Sequence, residues 1–221
     1  MMNLELLFEA TRMSGDSSFR KIATSHADQT MKHHYRPDMS CYHVVDYDSL
    51  TGSVRSRVTA QGYADSSAWA RGQAWGLYGY TLCYRYTHDP RYLKQAEEIA
   101  RFIFTNRNLP SDLVPYWDYD VPNIEAEPRD ASAAAITASA LYELSTYAGK
   151  KQGKAYKKLA DRIVRTLGSP AYRAELGENG YFVLMHSTGN KPGPSEVDVP
   201  LVYADYYFLE ALKRKRDLEA R

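Results

Sequence analysis

Apolar residues recur at three- and four-residue spacing along most of the chain, and short Gly-, Asp- and Pro-bearing turns interrupt them. This alternation constrains the fold most, because it demands long helices joined by tight reversals. Residues 3–14 carry Leu4, Leu7, Phe8 and Thr11, then stop at Ser14-Gly15-Asp16. A second helix is expected over 17–33, ending before Arg36-Pro37. Others are predicted at 67–87, 91–106, 130–148, 153–168 and 201–216. Residues 41–58 alternate around a turn instead and predict a small β-hairpin projecting from the helices. Phe19 and Ala23, Tyr92 and Ala96, and Tyr156 and Ala160 form an i,i+4 echo just after three of the turns. The intervals are unequal and exceed a tetratricopeptide or HEAT period. Gly76, Gly79, Ala133, Ala134, Ala135 and Ala138 crowd the first helix of two hairpins, which permits close inner packing. The expected fold is all-α, part of an α/α toroid, with residues 1–221 as one domain.

Charge narrows the function classes. With 28 basic against 27 acidic residues, the chain lacks the basic excess of a surface for nucleic acid or anionic membrane. The basic run Lys213-Arg214-Lys215-Arg216 is followed by Asp217 and Glu219 and reads as a solvated helix end. Cys41 and Cys83 form no CxxC, and His33-His34 lacks a companion at zinc-ligand spacing, so no metal is expected. No apolar run reaches the length of a membrane span. The opening MMNLELLFEATRM lacks the features of a signal peptide and reads as the inside of a helix, leaving a cytoplasmic or periplasmic placement. Tyrosine is abundant, 19 residues beside three tryptophans, and such polar-tipped aromatics suit a groove that stacks on sugar rings as well as an ordinary core.

The segment from Asp65 to Gly76 carries the most chemistry. Ser66 or Ser67 is expected to cap the next helix, placing Trp69 and Arg71 in its first turn. A cation there opposes the helix dipole at a cost of about 0.3–1 kcal/mol. Such a cation points to an anion held nearby, and guanidinium fits a carboxylate bidentately. Arg71 and Trp75 share a helix face, which reads either as a carboxylate clamp beside an aromatic plate or as core aromatics with Arg71 paired inside the protein. Asp130 reads as a helix cap, and Asp46 and Asp48 as turn residues that a neighbouring His43 could tune. Asp118 and Asp120 read as solvated loop residues or the rim of a sugar site, and His26, His33, His34 and His88 as surface residues.

The string Trp69-Ala70-Arg71-Gly72-Gln73-Ala74-Trp75-Gly76 resembles the signature of glycoside hydrolase family 88, the unsaturated glucuronyl hydrolases. Met1-Met2-Asn3-Leu4, Tyr42-His43-Val44 and the block from Pro128 to Ala135 are similar to that family in order and spacing. The resemblance implies an (α/α)6 toroid with its site at one mouth and no metal or organic cofactor. It implies a substrate left by a polysaccharide lyase, a glycosaminoglycan oligosaccharide with a 4,5-unsaturated uronic acid at its non-reducing end. An aspartic acid protonates the double bond, water adds, and the hemiketal opens to release the neighbouring sugar. By position, His43 falls in the catalytic neighbourhood, and Gln61, Trp69, Arg71 and Trp75 on sugar and carboxylate contacts. The family's catalytic aspartate precedes the Met-Met-Asn block. The resemblance therefore implies a C-terminal portion of such an enzyme, its general acid upstream of Met1, its activity impaired, and its exposed helix faces prone to self-association. His186, Ser187 and Lys191 lie where some relatives recognise sulfate, but the serine spacing differs. The alternatives are an unsaturated rhamnogalacturonyl hydrolase, which tends to carry Gly-Asn in place of Gly72-Gln73, and a non-catalytic carbohydrate-binding helical scaffold.

Overall fold

The computed structural model describes residues 1–220. Helix α1 (Leu4–Ser14) ends on Gly15, whose φ of 76° lets its N–H reach back to the Thr11 carbonyl. Asp16 then caps α2 (Ser17–His33) by accepting the Ser18 N–H. A short antiparallel hairpin follows, β1 (Val44–Tyr47) against β2 (Val54–Val58), with Val44 opposite Val58. Four further helices, α3 (Ala70–Thr87), α4 (Pro90–Thr105), α5 (Ala131–Tyr147) and α6 (Lys150–Leu167), precede α7 (Val202–Glu219).

The helices form two layers. Odd-numbered helices lie side by side, α3 on α5 and α5 on α7, while α4 backs α3 and α6 backs α5. Composition decides which layer each helix joins. Helix α5 is rich in Ala and Ser and buried from Ala131 through Tyr142 on every face. Side chains this small let neighbouring backbones approach, so α5 can be enclosed. Helices α4 and α6 instead bury one stripe, Tyr92, Ala96, Ile99 and Ile103 in the first and Tyr156, Ala160, Ile163 and Leu167 in the second. One core cluster draws residues from all seven helices. No helix among the described residues is long and apolar enough to cross a membrane.

Two local expectations are corrected here. Neither Ser66 nor Ser67 caps α3; the cap position is Trp69, and no side chain completes it. Ser67 instead donates its hydroxyl to Asp118 Oδ2 at 2.7 Å. Asp118 is not a solvated loop residue but is fully buried, and it also accepts the N–H groups of Tyr63 and Asp120. Burial nonetheless pushes its carboxyl above the usual range. The aromatic segment around it is tied into place: Trp117 accepts the Ala70 N–H, and Tyr119 donates to the Ala68 carbonyl. The start of α3 is thereby held between two loops.

Candidate functional site

A cavity of about 350 Å³ opens where α2, the approach to the hairpin and the first turns of α3 converge. His43, Trp69 and Trp75 line it, with Gly72 between the tryptophans and Gly76 directly after the second. Those glycines keep α3 low. A Cβ on Gly76 would stand 2.2 Å from the Tyr35 hydroxyl, and one on Gly72 would stand 3.0 Å from the Trp69 ring.

His43 lies against Trp69, ring centroids 4.3 Å apart. Its Nδ1 accepts the backbone N–H groups of Ala60 at 3.1 Å and Gln61 at 3.0 Å. A ring nitrogen that accepts from amides is unprotonated, so the neutral tautomer carries its proton on Nε2. Burial, and next the Arg71 guanidinium, hold His43 below the usual imidazole range. The site thus holds a neutral hydrogen-bond donor rather than an imidazolium.

Gln61 and Arg71 stand behind this wall and do not line the cavity. Both donate to one carbonyl, that of Gly189: Gln61 Nε2 at 3.2 Å and Arg71 Nη2 at 2.6 Å. Arg71 is 3% exposed and pairs with Asp130 at 2.7 Å. Of the two readings left open for Arg71, the structure shows the pairing inside the protein. The anion that offsets a cation at the start of α3 is Asp130, which also caps α5 through the Ser132 and Ala133 N–H groups. Arg71 packs 4.4 Å over the Trp69 ring, and so steadies that indole and the 188–189 backbone together. Trp75, half-buried, meets Tyr207 edge to face at 5.2 Å.

The remaining candidates lie apart from the cavity. Asp48 is a turn residue: it accepts the Leu50 and Thr51 N–H groups, pairs with Arg55, and is drawn down to about 2 by these bonds, that of Thr51 first. Lys191 pairs with Glu127, which also accepts the Trp117 indole N–H. His186 pairs with Asp198 on the exposed loop. Among the described residues no carboxylate lines the cavity, and no cluster of His, Cys, Asp and Glu could hold a metal. His34 is a site residue the sequence reading placed on the surface. It lines the cavity, and burial pushes its imidazole down to about 4. The signal was present, since His34 continues the stripe Ala23, Ala27 and Thr30, all buried.

No family model matches the chain. Individual proteins do. The chain is 55% identical over 218 residues to an unsaturated glucuronyl hydrolase of Formosa agariphila, covering 99% of this chain and 54% of that protein. It is 36% identical over 216 residues to an unsaturated chondroitin disaccharide hydrolase of Streptococcus pyogenes serotype M1, covering 97% and 53%. Among solved structures, it matches an unsaturated glucuronyl hydrolase specific for heparin with a TM-score of 0.97 at 50% identity, covering 100% of this chain and 59% of that one. The unsaturated glucuronyl hydrolase of Bacillus sp. GL1 follows with a TM-score of 0.91 at 33% identity, covering 96% and 56%. The chain spans about half the length of the curated relatives it matches. With identity running along its whole length and the same helical arc beneath it, the chain is similar to the unsaturated glucuronyl hydrolases over somewhat more than half of their length.

Proposed function

We propose that this chain supplies the substrate-binding wall of an enzyme that hydrates the 4,5-unsaturated uronic acid of glycosaminoglycan oligosaccharides and so releases the neighbouring sugar. The cavity shared by His43, Trp69 and Trp75 carries the reading. The half-buried Trp75 gives an apolar face for a sugar ring, Trp69 backs the His43 ring, and the neutral His43 offers an Nε2–H to an oxygen of the unsaturated residue. Gln61 and Arg71 act from behind, fixing the loop that carries His43 and the Gly189 carbonyl. The names of the relatives, which specify chondroitin disaccharide and heparin, support the substrate class. A Streptococcus agalactiae relative was solved with dGlcA-GalNAc6S.

Hydration of the double bond needs a proton, and no carboxylate lines the cavity among the described residues. The general acid then comes from an aspartate outside these residues. Asp46 and Asp48, on the hairpin, do not line the cavity. The continuous core supports reading residues 1–221 as one domain, and the exposed apolar faces of its outermost helices support self-association.

The test follows the near-ultraviolet band of an unsaturated chondroitin or heparin disaccharide, with this chain beside a form extended upstream of Met1. General acid catalysis contributes about 10²–10⁴-fold, so the acid's absence is readable in the rate. Decay with the extended form alone supports the reading. Equal decay with the 221-residue chain contradicts it and assigns the acid to a carboxylate within.

A further inference from the structure

The cavity has a second wall that the reading above leaves idle. His26 and Thr30 line it from α2 and His34 from the helix's C-cap, spaced i, i+4 and i+8. Thr30 is only 7% exposed. Four threonines elsewhere in these helices, Thr24, Thr81, Thr87 and Thr105, turn their hydroxyls back to the carbonyl four residues earlier, whereas Thr137, like Thr30, does not. Among the described residues the Thr30 hydroxyl makes no such bond, and it opens on the cavity rather than being sealed in the core. The His34 ring likewise has no hydrogen-bond partner among the described residues, while its backbone is held by Thr30 and Tyr42. Polar groups left open on one face of a cavity are groups set for a ligand.

The chemistry of that wall selects its ligand. Imidazoles held neutral and a hydroxyl offer donors and acceptors without net charge. They match sugar hydroxyls, whereas a carboxylate or sulfate would call for a cation. We infer that the wall of His26, Thr30 and His34 binds the hydroxyl groups of the sugar attached to the unsaturated uronic acid, opposite the wall formed by His43, Trp69 and Trp75. The inference rests on the proposed substrate.

Calorimetric titration of this chain with unsaturated chondroitin and heparin disaccharides tests it, using Thr30→Val, His34→Gln and His43→Ala. A neutral hydrogen bond is worth about three- to tenfold in affinity. Thr30→Val and His34→Gln are each expected to raise Kd by that factor. The penalty should differ between the two disaccharides, because the attached sugar differs, and the melting temperature of the free chain should be kept. A merely structural role would shift the melting temperature and penalise both ligands equally. Should Thr30→Val fail to fold, His34→Gln reads the wall alone. If His43→Ala abolishes binding while the Thr30 and His34 variants bind like the wild type, this inference is overturned and the proposed function stands. If the wild type binds neither disaccharide, both fall together.

Discussion

Two backbone N–H groups decide the chemistry of His43. Ala60 and Gln61 both donate to its Nδ1, so the ring can gain a second proton only by losing them. His34 reaches the same neutral state by burial, which pushes it down to about 4. In both cases the unfolded chain binds a proton near pH 6.5 and the folded chain only at lower pH. Stability from these residues is therefore complete above about pH 6.5 and lost as the pH falls toward the folded values. Denaturant unfolding between pH 7 and 4 should show that decline, and His34→Gln should flatten it; a wild-type profile that stays level, or one the variant leaves unchanged, would contradict the assignment. Asp118 works with the opposite sign, since burial raises its carboxyl and so favours the folded chain as protons are added. At this scale the sequence was legible where a residue acts through its neighbours in the chain. Asp130 caps α5 as the sequence reading expects. Asp118 was opaque because its partners, Ser67 and the Tyr63 N–H, come from a loop more than fifty positions away.

Helices α3 and α5 are joined by one buried ion pair, and that pair carries two duties. Asp130 caps α5 and neutralises Arg71 at the start of α3. Removing an exposed cap such as Asp16 is a small loss. Asp130→Ala also leaves a buried guanidinium without its partner, a loss of about 3–5 kcal/mol. Urea unfolding of the two variants should rank them in that order; equal losses would show that the pair contributes nothing beyond the cap. Close packing sets a second constraint at Gly76, where an added Cβ meets the Tyr35 hydroxyl. Gly76→Ala should destabilise by about 1–3 kcal/mol. Tyr35→Phe in the same chain should recover most of that, since the ring carbon bearing the hydroxyl stands 3.4 Å away and only the oxygen clashes. An additive double mutant would place the strain elsewhere. Periodicity made the helices readable to within a few residues. The cap of α3 escaped because Ser67 had a better partner in Asp118, and a sequence does not rank partners it has not yet folded together.

On the scale of the molecule, the large apolar side chains exposed on helices all fall at the two sides of the arc. Leu6 and Met13 lie on α1, Ile22 on α2, and Val202, Tyr206, Leu209 and Leu212 on α7. Helices α3 to α6 expose none. Exposed apolar side chains grouped along one helix, as on α7, favour association. Sedimentation velocity over a concentration series should show the chain self-associating, with Tyr206→Lys and Leu209→Lys together shifting it to monomer. A wild type that stays monomeric throughout would remove the self-association reading. The site was legible where it is built from the start of α3, since Trp69 and Trp75 share the cavity with His43. It was illegible where long-range partners intervene, because Arg71 faces Asp130 and Gln61 faces Gly189 across the fold.

The central claim is that the uronic-acid end of the substrate lies against His43, Trp69 and Trp75. The most direct measurement is a nuclear magnetic resonance titration with an unsaturated chondroitin disaccharide, following the three indole N–H signals and the histidine ring protons. Trp117 is an internal control, since its indole N–H is bound to Glu127 and it does not line the cavity. Saturable shifts at Trp69, Trp75 and His43, with Trp117 still, are the predicted result. Shifts confined to Trp117, or none at saturating disaccharide, would contradict the account.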